Sequence, residues 1–132
     1  MKVASWVDLK PVLGQSFYVA PASKGTAALA EAGERFRATH GPDRFNYELV
    51  APAHPDAGWL ENVMRRLAYH CHSLDVPVPE CAGVFVSVFY EDRMYAVTAK
   101  TFLETAAMIL DVDLEDLALL AGAGEKRDAR PV

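Results

Sequence analysis

Val84-Phe85-Val86-Ser87-Val88-Phe89-Tyr90-Glu91-Asp92-Arg93-Met94-Tyr95-Ala96-Val97-Thr98 is the stretch whose reading decides the fold. Residues 84–90 are apolar on both faces except at Ser87, and they are rich in β-branched and aromatic side chains. A strand of that kind lies inside a sheet and is covered on both sides. Glu91-Asp92-Arg93 is a tight polar connection, so Met94 to Thr98 returns as the antiparallel partner of a hairpin.

Working outward toward the N-terminus, Pro77 and Pro79 keep residues 75–83 extended. Before them, Leu60, Val63, Met64, Leu67, Cys71 and Leu74 recur at helical spacing and predict an amphipathic helix from about Ala57 to Leu74, with Asp56 as its N-cap. Phe45 to Val50 alternates and reads as a strand with one wet face. Thr26 to Thr39 reads as a helix capped by Ser23 or Thr26 and ended by Gly41-Pro42. Ser16 to Ala20 and Lys2 to Val7 are strand candidates. Toward the C-terminus, Thr101-Phe102-Leu103-Glu104 has the pattern of a capping box opening a helix that reaches Leu110. Asp113 caps a last short helix ending at Gly122. The expected order is β-β-α-β-α-β-β-α-α, an α+β domain over residues 1–123 with a sheet of about five strands. Residues 124–132 are expected to form a mobile polar tail.

The 132 residues fit one domain, and the hydrophobic fraction of 52% is that of a globular chain. No apolar run reaches the roughly 18 residues a membrane span needs, and the first residues do not read as a secretory signal. Cys71 and Cys81 are therefore expected to be free thiols in a reducing, cytoplasmic compartment. A single Ile, two Asn and many Ala suggest a GC-rich bacterial or phage gene. The net charge of −5 is uneven, because most of the acids lie in the second half of the chain. A nucleic-acid grip through phosphates wants the opposite excess, so a basic partner is favoured.

His70, Cys71, His72 and Cys81 form the most tempting cluster for a metal. Adjacent residues on a helix diverge by about 100°, so three consecutive side chains do not converge on one ion, and no metal or cofactor is expected. His40 with Asp43 and Arg44, and His54 with Asp56, hold acid–base residue types without an identifiable nucleophile. Gly122-Ala123-Gly124-Glu125-Lys126 lacks the strand, helix and spacing of a phosphate loop.

Thr105 to Leu117 resembles the helix–turn–helix of bacterial repressors in its small residue in the first helix, its apolar turn residue Val112 and the later Leu117. The resemblance implies a DNA-binding helix pair. The would-be recognition helix from Leu114 carries no Arg, Lys, Asn or Gln, however, and its acids face phosphate.

Two surfaces remain. Arg65, Arg66, Tyr69 and His72 combine base and aromatic on the outer face of the Ala57–Leu74 helix, the composition of an interface hot spot, with Tyr69 expected opposite the apolar stripe. Asp111, Asp113, Glu115 and Asp116 form the densest acidic cluster. With no reaction motif, the expected function is a small protein-binding regulator or inhibitor, of the immunity or accessory kind, acting through Arg65, Arg66, Tyr69, His72, Asp113 and Asp116. Its partner is another protein, and homodimerisation stays open. An enzyme with a dispersed site and a DNA-binding regulator using the C-terminal helix pair are the alternatives.

Overall fold

The computed structural model describes residues 6–119. Its centre is the hairpin read above: β3 (Val84–Tyr90) pairs antiparallel with β4 (Arg93–Thr98). The turn residues Glu91 and Asp92 both have positive φ, 51° and 65°. That is the backbone of a two-residue turn whose twist matches the strands. The other strands are β1 (Tyr18–Pro21), antiparallel to β4, and β2 (Phe45–Val50), parallel to β3. The sheet order is β1-β4-β3-β2.

A parallel pair cannot be joined by a tight turn, and α3 (Ala57–Ser73) makes the β2-to-β3 crossover. Its buried residues Leu60, Val63, Met64, Leu67, Ala68 and Cys71 form the stripe that the spacing predicts. Each large aliphatic buried there contributes roughly 1.5–3 kcal/mol. Asp56 caps the helix, its carboxylate accepting the Trp59 N–H at 2.8 Å. Leu74 is the C-cap and is exposed, so the stripe ends at Cys71.

Alternation along β3 sends its side chains into two separate cores. Val84, Val86 and Val88 pack with residues of α3, α4 (Ala99–Leu110) and the short α1 (Lys10–Leu13). Phe85 packs on the opposite face with Ala28, Ala32 and Phe36 of α2 (Thr26–His40). The sheet is thus covered on both sides, as an apolar central strand requires. Ser87 is fully buried on the α2 face and donates to the Asn46 Oδ1 at 2.9 Å.

The domain is α+β, but four strands pair among the described residues, not about five. Of the strand expected over Lys2 to Val7, residues 2–5 lie outside the described part, and Trp6 makes an isolated bridge to Asp56. The short helix α1 follows, where Pro11 fits a first helical turn. The N-cap of α2 is Gly25 at φ 55°, with no side-chain cap, so neither Ser23 nor Thr26 serves. α4 starts earlier than expected. Thr98, the last residue of β4, accepts the Thr101 N–H at 3.2 Å. Glu104 pairs with Lys100 at 3.6 Å and closes no capping box on Thr101. Residues 114–119 are helical. The end of that helix and the tail expected over 124–132 lie outside the described residues.

Candidate functional site

Cys71 and Cys81 are joined in a disulfide, with their Cα atoms 5.7 Å apart. This overturns the free-thiol expectation, because the two sulfurs are bonded to one another. The physical reason lies in the intervening loop. Asp75 at φ 61°, Cys81 at φ 46° and Gly83 at φ 84° bend residues 74–83 back beneath the end of α3, which proline content alone does not reveal. Glycine suits position 83 because a side chain is strained at that positive φ, and a Cβ would also stand 3.0 Å from Arg44 Cγ.

The flanking histidines diverge, as helix geometry demands. His70 stacks on Phe45, with ring centroids 5.2 Å apart, and lies 5.5 Å from the Tyr47 ring. His72 is exposed and lines a shallow groove with Val76 and Pro77. Among the described residues no three His, Cys, Asp or Glu side chains are grouped to hold a metal ion.

The other acid–base candidates are not brought together. His40 lies against Phe36, ring centroids 4.7 Å apart, while Asp43 accepts from Arg37 at 2.6 Å. His54 meets the edge of Trp6 at 5.6 Å, and Asp56 is occupied with capping.

The basic-aromatic face of α3 is divided. Arg66 sits one turn before His70, on the side of the helix that covers β2. Tyr69 is half-buried, its ring 6.3 Å from that of His70, and so is not the fully outward residue expected from its place opposite the stripe. Arg65 is on the other side, where it donates to Glu61 at 3.0 Å. There the structure joins the two surfaces that the sequence keeps apart. Arg65 and the acids Glu61, Asp111, Asp113 and Asp116 ring a groove of about 430 Å³. Its apolar lining comes from Met64, Val112 and Leu117. Asp113 also accepts the Glu115 N–H at 2.9 Å and starts the helical segment 114–119. Asp111 holds the left-handed conformation at φ 55° and ends α4.

Glu61 and Arg65 offset one another, which leaves three aspartates to set the field of the groove. Val112 is 43% exposed and Met108 of α4 is 80% exposed. The exposure of Val112 departs from the helix–turn–helix pattern, in which the apolar turn residue is buried between the helices. Leu117 is buried, as that pattern has it.

A polar cluster with no sequence motif lies on β1, on α2 and on the turn Ala22–Lys24 between them. Tyr18 donates its hydroxyl hydrogen to Glu31, which also pairs with Lys24 at 3.8 Å. Arg35 lies over the Tyr18 ring at 5.0 Å. The Tyr18 hydrogen bond, then Lys24, hold the Glu31 carboxyl below its usual range. The same bond raises the Tyr18 phenol above its own. Burial and the neighbouring Glu91 push Tyr90 up likewise. The Glu31–Arg35 spacing is the one local signal that pointed to this cluster.

No protein-family model, curated protein or solved structure matches the chain. No helix of the described residues is long and apolar enough to cross a membrane.

Proposed function

We propose that this chain is a non-enzymatic, protein-binding regulator or inhibitor. Its partner presents a basic segment carrying an apolar anchor, which seats in the groove between α3 and residues 111–117. One observation supports this reading above the others: Asp111, Asp113 and Asp116 surround an apolar floor of Met64, Val112 and Leu117. Such a surface attracts a cationic segment over a distance and holds it by burying an apolar side chain. Val112, 43% exposed, keeps part of that apolar lining open to solvent. Arg65 is on the rim, and its exposed pair with Glu61 contributes at most about 0.5 kcal/mol to the fold, so it is available to rearrange on docking. Arg66, Tyr69 and His72 are flanking contacts in this reading.

The test captures a partner on the immobilised parent chain, then measures binding of that partner after purification. The comparison is with Asp116→Lys combined with Asp113→Asn, since Asn keeps the helix cap while removing the charge. Folding of the variant is checked by circular dichroism. Association should slow severalfold and lose much of its salt dependence, as expected when steering charges are removed. A folded variant that binds with the parent's rate constants and salt slope would overturn the proposal.

A further inference from the structure

The two edges of the sheet are built differently. β1 is four residues long and carries Pro21, which removes a backbone donor. β2 is six residues long, contains no Pro, Gly or Lys, and has β3 as its one strand neighbour among the described residues. The Phe45 and Ala51 N–H groups donate to the Gly83 and Phe89 carbonyls of the β3 side. With a period of two, the N–H and C=O of Asn46, Glu48 and Val50 point away from β3. This edge is an open ladder flanked by the aromatic pair Phe45 and Tyr47.

We propose that the β2 edge pairs with the β2 edge of a second copy of this chain, in one defined antiparallel register. Twofold symmetry about an axis normal to the sheet permits only registers that pair even residues with even and odd with odd. Of the two central registers, one sets Glu48 directly against its own symmetry mate, which is repulsive. The other sets Tyr47 opposite Tyr47 of the second copy and Asn46 opposite Glu48. In that register the outward N–H and C=O groups of residues 46 and 48 exchange four hydrogen bonds across the axis.

The side chains favour the second register too. Asn46 uses its Oδ1 to accept from Ser87, so its amide N–H groups are turned to donate, and the residue facing them is a carboxylate. Arg44 and Glu48 make no ion pair within the described residues. Arg44 immediately precedes β2; in the dimer the positions diagonal to each Glu48 are 44 and 48 of the second copy, so the long Arg44 side chain is the cation next to the two carboxylates. On the other face Phe45 meets Leu49, beside the tyrosine pair. None of these residues lines the acidic groove, so the two surfaces can be tested separately.

The experiment is sedimentation equilibrium on the full chain under non-reducing conditions. The parent should move from 14.5 kDa toward twice that mass as concentration rises. Glu48→Arg and Arg44→Glu each make both cross-axis charge pairs repulsive and should weaken the dimer on the order of tenfold or more. An equimolar mixture of the two variants restores both pairs and should form the mixed dimer at parent strength, which also shows that each variant is folded. A parent that stays monomeric up to near-millimolar concentration, or charge variants that associate as the parent does, would overturn the proposal.

Discussion

Reducing the Cys71–Cys81 bridge is the perturbation whose size follows most directly from the structure. The two cysteines are 10 residues apart in sequence. Releasing a loop of that length returns about 2.7 kcal/mol of chain entropy to the unfolded state at 25 °C. For 132 residues that corresponds to a fall in Tm of about 10 °C. Cys71 and Cys81 are 0% and 2% exposed, so reductant does not reach the bridge in the folded chain. The reduced protein is therefore prepared by unfolding in urea with reductant and refolding in its presence. Urea denaturation of the oxidised and reduced forms, followed by circular dichroism, then gives the difference. Native α3 and β3 should survive, since the buried stripe of Leu60, Val63, Met64 and Leu67 does not depend on the bridge. Two titratable thiols in protein purified without reductant, or equal stability of the two forms, would refute the reasoning.

Two shorter predictions concern local structure. Thr98→Ala should cost about 1 kcal/mol in urea denaturation because Thr98 caps α4, whereas Thr101→Ala should cost much less; the reverse order would return the cap to the capping box. Tyr18→Phe should raise the Glu31 pKa toward the ordinary carboxylate range, read by NMR titration of the side-chain carboxyl. Because the folded value is depressed, its stabilisation is present above the ordinary carboxylate pKa and is lost as pH falls through the depressed one. The stability gap between parent and variant should narrow over that interval, and an unchanged Glu31 titration would remove Tyr18 as the cause.

Elements whose signals are local could be read directly from the residues. The hairpin at 84–98 is legible because its apolar content and its polar turn lie in one continuous stretch. The core face of α3 follows from its spacing, and its start follows from Asp56, whose partner Trp59 is three residues away. The divergence of His70, Cys71 and His72 also followed from helix geometry alone. Tertiary structure decided the rest, because in each case the deciding partner is distant in sequence or fixed by backbone bends. Thr98 could cap α4 only once β4 ended there, and the propensity pattern favoured Thr101. The disulfide formed because three positive φ angles in residues 74–83 returned Cys81 to the end of α3. Trp6 bridges Asp56, 50 positions away, a partner that its own segment does not name. Arg65 and Asp116 are 51 positions apart in the chain, so composition marked both as candidate surface yet placed them on separate faces. They line one groove because the helix at 114–119 buries Leu117 in the same core as Met64.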